Sequence, residues 1–474
     1  MDRRRFLQVA GLTSAGAVLA ACSSPPVATP PSSSSVPSGP PDWTALRSRL
    51  SGRLVLAGDD GFAYQGFNPV WDNRKPAAVA RCTSAADVQA CVEVARLRAP
   101  IAARSGGHSY AGYSTPENGL QVDLRGMAGV EVLPGDQVRI GAGVQLGEVA
   151  RVLAASGRAL PTGTCPSVGV AGLTLGGGIG VLARKYGLTC DHLVSATVVT
   201  ADGRLVTASA QQEPDLFWAL RGGGGGNFGI VTEFVFTTVP APDVAVFSLQ
   251  YGAGAAAEAL GAWQEWITQT PNEMWANVAV RGGAQPNCHI GGCFVGNVAE
   301  LAALLAGLPA PASRFIQPKS YAEATQYFAG SGIEHESFVA SSRIVREPIG
   351  DTAKAVNLLA GQSDETYLIF DGLGGAVAGV APEATAFPHR SALACAQIYL
   401  KTPPEAAAEA SRTLGQIRDG LGALVGDASY VNYIDPQLPK WAEAYYGANL
   451  ARLREVAVKY DPDRVFAFAQ AVPH

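Results

Sequence analysis

Gly163-Thr164-Cys165-Pro166-Ser167-Val168-Gly169-Val170-Ala171-Gly172-Leu173-Thr174-Leu175-Gly176-Gly177-Gly178-Ile179-Gly180 decides how this chain is read. Glycine costs chain entropy and buries no side chain, so this dense a run does not serve core packing. It must press bare backbone against something flat or against another segment of chain. A second cluster, Arg104-Ser105-Gly106-Gly107-His108-Ser109, follows directly on the short strand expected at 101–103. A strand opening into two glycines lets the backbone approach a ligand, with free N–H groups able to face a diphosphate. By itself Gly-Gly-His is weak evidence, because such a histidine is more often a hydrogen-bonded turn residue. A third cluster runs from Arg221 to Asn227-Phe228-Gly229-Ile230-Val231-Thr232 and ends in a strand. None of the three holds the Lys-Ser/Thr of a nucleotide P-loop or a helix-opening GxGxxG, which argues against a kinase-like site and a Rossmann fold.

Around these clusters the span 53–240 mixes strands and helices. Ser84 with Asp87 three residues on reads as a helix start, and Val88, Cys91, Val92 and Ala95 recur at helical spacing until Pro100. Pro134-Gly135-Asp136 and Ala201-Asp202-Gly203 mark hairpins, and Gly157 should end a helix over 145–156. After Pro240 strands at 275–280, 289–295, 367–370 and 394–400 alternate with amphipathic helices near 254–269, 298–307 and 404–418. That pattern predicts a separate α+β domain, an antiparallel sheet backed by helices. No internal repeat is visible.

The N-terminus reads as an address. Arg3, Arg4 and Arg5 precede Phe6-Leu7, and the apolar stretch 9–21 is short of the ~20 residues that a bilayer span needs. The twin arginines resemble a Tat export signal, and Leu19-Ala20-Ala21-Cys22 resembles a lipobox with Cys22 as the lipidated residue. The plainer alternative is a secreted protein cut elsewhere. Both readings place the mature protein outside the cytoplasm, and the first makes it a membrane-anchored lipoprotein. Residues 1–21 are then the signal and 22–42 a Ser/Pro-rich tether unable to bury a core. The formal charge of −5 becomes −7 without the signal, and basic runs are absent, so nucleic acid is an unlikely partner. The 8 cysteines include no CxxC pair, and no HExxH or other metal signature occurs. Cys288-His289 with Cys293 has loosely metal-like spacing, for which a disulfide or buried thiols are the better reading.

Together the segments WDNRKP (71–76), SGGHSYAGYS (105–114), residues 163–180, RGGGGGNFGIVT (221–232), YVNYIDP (430–436) and YYGANLARLREVAVKYDP (445–462) resemble the vanillyl-alcohol-oxidase superfamily of flavoproteins. Within it they resemble the berberine-bridge-enzyme-like group, in order and spacing over nearly the whole mature chain. The resemblance implies an α+β protein with a two-subdomain PCMH-type FAD-binding domain at 43–240. An inserted substrate domain would follow at 241–425, and 426–474 would return to the FAD domain.

It also implies FAD held by two covalent bonds, from His108 to the 8α carbon of the flavin ring and from Cys165 to ring carbon C6. For Cys165 the alternative is a disulfide partner, although glycine-rich flanks suit a flat ring better than a cross-link. Cofactor contacts carried over are Arg104, Ser105, Gly106, Gly107, Ser109 and Tyr110, then Gly163, Thr164, Val168, Gly169, Gly172, Gly176, Gly177 and Gly180. Gly229, Ile230, Val231, Tyr430 and Asn432 complete them. Tyr433 matches the proton acceptor for the substrate hydroxyl and Asp371 an acid beside it, while Gln397 and Tyr399 match a pocket-lining Gln-x-Tyr strand. Without the family, Tyr430 and Tyr433 would read as ordinary packing. A free phenol has pKa ~10, so Tyr433 needs tuning or a relay to act as a base. Relatives often carry Tyr-Gly-Gly where Leu373-Gly374-Gly375 stands, and plant members often a lysine where Cys395 stands. Valine at 168 tends to accompany oxygen reactivity in the family.

The reading is an FAD-dependent oxidase of alcohol groups. Its substrate would be an oligosaccharide oxidised at the anomeric hydroxyl to a lactone, or a secondary-metabolite alcohol, with O2 reduced to hydrogen peroxide. The rivals are a dehydrogenase that passes electrons to a quinone or protein, and a non-catalytic lipid-anchored binding protein.

Overall fold

The computed structural model describes residues 39–59, 62, 66–329 and 335–474. The expected export signal, Cys22 and all but the end of the tether lie outside the described residues. Asp42, where the tether ends, caps the first helix, Trp43–Arg49, by accepting from the Ala45 N–H at 2.9 Å.

The first half of the chain builds two sheets. In the four-stranded one the order is Arg53–Leu56, Ala78–Arg81, Leu120–Asp123, Ile101–Arg104, the last three parallel and the first an antiparallel edge. The helix Ala85–Ala95 connects two of the parallel strands. Ser84 caps it as its sequence suggests, whereas the Asp87 carboxylate is buried and accepts from Ser51, Gly52 and Thr83. The second sheet is antiparallel, ordered Val130–Leu133, Gln137–Gly141, Ile230–Thr237, Leu193–Val199, Leu205–Ser209, and both expected hairpins are in it. One buried core unites side chains from Leu46 to Phe236 with Ala386 and with residues from Leu438 to Val472, so the end of the chain packs against its first half.

The third sheet has seven antiparallel strands: Ser313–Lys319, Val244–Tyr251, Asn287–Phe294, Met274–Arg281, Thr366–Gly372, Ala394–Lys401 and Phe338–Val345. The helices Ala256–Gln269, Val298–Leu305, Thr352–Asn357 and Ala407–Val425 cover one face in a second core. Three of the strands carry no alternating signal. Phe338–Val345 is buried on both faces, Val244–Tyr251 nearly so, and Ser313–Lys319 is an exposed edge strand blunted by Pro318. The helix expected to 418 runs on to Val425 because its glycines are contact points. A Cβ on Gly420 would come within 2.6 Å of Leu358, and one on Gly422 within 3.0 Å of the Arg343 guanidinium.

All seven described cysteines are free thiols. Cys288 packs into the core under the helices while Cys293 faces the other side of the sheet, so the metal-like spacing does not converge. Cys82 and Cys91 meet inside the first core with sulfurs 3.9 Å apart. No helix among the described residues is long and apolar enough to cross a membrane. The buried Arg184 guanidinium ties the first half of the chain to the third sheet, donating to the carbonyls of Met274 at 2.6 Å and Ile267 at 3.1 Å and also to that of Leu373.

Candidate active site

Two glycine clusters meet backbone to backbone. A Cβ on Gly106 would lie 2.3 Å from the Gly169 nitrogen, and one on Gly169 would lie 2.1 Å from the Gly106 nitrogen. No other residue permits that approach. The contact aligns the loop after Ile101–Arg104 with the loop before the helix Val170–Leu175, and it brings His108 beside Cys165. Both reach Ser167: His108 Nε2 is 3.1 Å from its hydroxyl and Cys165 Sγ 3.6 Å. Phe67 stacks on the His108 ring at 3.4 Å between centroids. Burial, with the charge of Arg104 adding to it, pushes the His108 pKa down to about 4 against a hydrogen bond with Ser167. The imidazole is therefore neutral near pH 7, with a lone pair available as a nucleophile.

The remaining glycines divide into two kinds. Gly180 abuts the Thr162 carbonyl and Gly229, at φ +148°, abuts Val198 and Val199, so Gly229, Ile230 and Val231 begin a core strand. Gly172 and Gly225 instead leave bare backbone on an open face. A Cβ on Gly172 would meet nothing within 4 Å, and one on Gly225 only Leu175 at 3.9 Å and the Gly172 Cα at 4.0 Å. That open backbone, beside a neutral imidazole and a thiol, fits a large flat cofactor with a diphosphate tail. Gly163 and Thr164 line a cavity of about 410 Å³, together with Leu146, Pro166, Tyr321 and Phe328.

The C-terminal segment docks on the long glycine run. Tyr430 OH accepts from the Gly178 N–H at 3.0 Å and from Asn432 Nδ2 at 2.9 Å, and Asn432 Nδ2 also donates to the Leu173 carbonyl at 3.0 Å. A side chain on Gly176 would strike Asn432 at 2.0 Å. These bonds hold Tyr433 with its ring parallel to that of Tyr110, centroids 5.6 Å apart, and edge-on to Tyr430. Tyr433 OH donates to Asp371 Oδ2 at 3.4 Å, Asn277 Nδ2 donates to Asp371 Oδ1 at 3.4 Å, and Gln397 Nε2 donates to Tyr110 OH at 2.6 Å. Burial raises the Asp371 pKa to about 6, although both hydrogen bonds oppose it. Burial also lifts the Tyr433 phenol well above its ordinary value, and the neighbouring Asp371 charge adds to it.

The face of the seven-stranded sheet turned to this site alternates in burial. Asn277, Tyr367, Ile369, Asp371, Gln397 and Tyr399 are half-buried, whereas Val278, Leu368, Phe370 and Ile398 between them are buried under the helices. Tyr399 stands toward the far end. It stacks on Phe338 at 4.6 Å and bonds Glu336, which also pairs with Lys401 at 2.6 Å.

His108 and Cys165 thus form one group, and Tyr433, Asp371, Tyr110 and Gln397 a second. Tyr110, expected at the cofactor, bridges the two, interacting with Cys165 while its hydroxyl accepts from Gln397. Ser167, Phe67, Asn277, Glu336 and Phe338 were not singled out. The one visible signal was Asn277, a polar residue at an alternating position of an expected strand.

Two family models match the chain, described as "FAD binding domain" over residues 76–209 and "Berberine and berberine like" over 429–473. An uncharacterised FAD-linked oxidoreductase of Bacillus subtilis (strain 168) is 36% identical over 445 residues, covering 90% of this chain and 98% of that protein. The chitooligosaccharide oxidase of Gibberella zeae is 31% identical over 87% of this chain and 90% of its own. A solved structure of a chitooligosaccharide oxidase superposes with a TM-score of 0.82 at 30% identity, covering 91% of this chain and 99% of that one. The structure of BBE-like 1 from Physcomitrella patens gives 0.83 at 27%, covering 91% and 98%. The chain belongs to the berberine-bridge-enzyme-like family of FAD-linked oxidoreductases and is an FAD-dependent oxidase of CH–OH groups.

Proposed function

We propose that the chain oxidises the anomeric hydroxyl of an oligosaccharide to a lactone, with FAD bonded to His108 and Cys165 and with oxygen as electron acceptor. The contact from Tyr433 to Asp371 on a half-open sheet face carries this reading. FAD, when bound, takes up the hydride from the substrate carbon and returns the electrons to oxygen, giving hydrogen peroxide. Covalent attachment is supported by the neutral His108 and by Cys165, both in reach of Ser167. Val168, in the family pattern that accompanies oxygen reactivity, favours oxygen as acceptor.

The protein's own part is the proton. A phenolate at the half-buried Tyr433 is costly, because its proton affinity lies well above the ordinary value. The cost is avoided if Tyr433 receives the substrate proton as it passes its own to Asp371 Oδ2. Asp371, pushed up to about 6, is ionised at neutral pH yet a stronger base than an ordinary carboxylate. Because the unprotonated form is the active one, substrate oxidation is expected to rise with pH on a limb centred near 6 and to level off above it. The pH profile of kcat for the parent and for Asp371→Asn tests this. The parent's limb should vanish in the variant, and a limb unchanged by the substitution refutes the relay.

An oligosaccharide is favoured because several relatives are named for oligosaccharide oxidation: chitooligosaccharide, glucooligosaccharide and xylooligosaccharide oxidases. The half-exposed sheet face with Tyr367 and Tyr399 offers flat rings and polar groups along which successive sugars can lie. Oxygen uptake against cello-, xylo-, chito- and malto-oligosaccharides tests it, with aldonic acids sought by mass spectrometry. Consumption with simple alcohols but with none of these sugars defeats the substrate assignment.

The twin-arginine start and Cys22 support export by Tat and a lipid anchor outside the cytoplasm. One diacylated cysteine supplies the two chains that stable attachment requires. Cys22→Ala is therefore expected to block processing or to move the enzyme out of the membrane fraction with its flavin chemistry intact. An unchanged distribution between fractions rules the anchor out.

A further inference from the structure

Asp371 occupies the middle of a cross-strand row. Its partner on one side is Asn277 and on the other Cys395, so all three side chains project from the same face. Cys395 is fully buried, and burial keeps its thiol protonated. Asn277 behaves differently. Its Nδ2 donates to Asp371 Oδ1, while Tyr433 OH donates to Oδ2, each at 3.4 Å. The opposite amide orientation would set two oxygens against each other. On its far side Asn277 faces Gly291, and the His289 imidazole of the same strand packs into the space beside that glycine, next to the amide oxygen rather than the amide N–H that meets Asp371. The titratable groups facing Asp371 are Cys395 from the adjacent strand, Tyr433 from the C-terminal segment and Tyr110 from the loop after Ile101–Arg104, with His289, whose pKa burial lowers, one strand further out beyond Asn277. None of them is a cation.

We infer that Asn277 is the positioning residue of the proton path: it fixes the Asp371 carboxylate toward Tyr433 and stabilises its ionised form. The inference rests on the relay proposed above. An amide N–H bonded to a carboxylate favours the anion, and nothing cationic does so here. Removing it leaves the half-buried Asp371 with Tyr433 as its single side-chain donor among the described residues and frees the carboxylate to rotate. Placing a second carboxylate at 277 would force the two acids to share a proton.

The test is the pH profile of kcat, with KM recorded, for the parent, Asn277→Ala, Asn277→Ser and Asn277→Asp as holoenzymes. In Asn277→Ala the acidic limb is expected to move upward, so that the loss of rate is about threefold to tenfold near pH 6 and shrinks as pH rises. Asn277→Asp should move the limb further, and Asn277→Ser, which keeps a hydroxyl donor, should restore part of it. If Asn277→Ala is poorly folded, as judged by flavin content and Tm, Asn277→Ser against Asn277→Asp carries the same comparison. A rate loss equal at every pH, or a limb that stays with the parent's, overturns the role of Asn277. If Asp371→Asn abolishes the limb while the Asn277 variants leave it in place, only this inference fails. If Asp371→Asn also leaves rate and limb unchanged, the relay itself fails.

Discussion

Tyr433→Phe is expected to slow reduction of the flavin by substrate about 10²–10⁴-fold, the usual contribution of a positioned acid–base group. The substitution removes one oxygen and keeps the ring that stacks on Tyr110 and meets Tyr430 edge-on, so packing and FAD content should survive. Reoxidation by oxygen should be largely spared, because the substrate proton has already left. Tyr430→Phe is the informative contrast. Its hydroxyl accepts from Gly178 and Asn432 and is spent on docking the C-terminal segment, so its loss should cost stability more than it costs the rate of reduction. Anaerobic stopped-flow bleaching separates the two. A Tyr433→Phe protein that bleaches as fast as the parent, beside a crippled Tyr430→Phe, would show that the base has been misassigned.

The second large effect concerns the tethers. The parent, precipitated in acid, should keep its yellow colour in the pellet, and so should His108→Ala and Cys165→Ala taken singly, each through the remaining bond. The double variant should release essentially all of its colour into the supernatant. Each single variant should also oxidise substrate more slowly, since a flavin that has lost one electron-withdrawing link is a weaker oxidant. The two side chains come from different segments and converge on Ser167, so neither needs the other to be positioned. Colour lost wholly from the parent's pellet would refute covalent attachment, and colour lost from one single variant would assign the bond to that residue alone.

What sequence could reveal follows from where the information lies. His108, Cys165 and Tyr433 stand inside contiguous motifs, and the glycines that press Gly106 on Gly169 declare themselves by density. Strands with one half-open face alternate and are legible, while Phe338–Val345, buried on both faces, is not. Asn277 is a different case. Its partner lies 94 residues away, and what joins them is the register of two antiparallel strands, which local patterning does not encode. Glu336 reaches Tyr399 from a segment with no periodicity at all. Tyr110 sits in a cofactor motif and also bonds Gln397, 287 residues on, a second contact that only tertiary structure supplies.

The docking of Tyr430 on Gly178 spans 252 residues, and close behind it Val472 N–H donates to Asn227 Oδ1 across 245. Such contacts set a schedule for biosynthesis. His108 and Cys165 are synthesised well before the segment from Tyr430 onward, which docks on the long glycine run through Gly178 and Leu173. That docking closes a loop of 252 residues, so it belongs to the late, non-local part of folding.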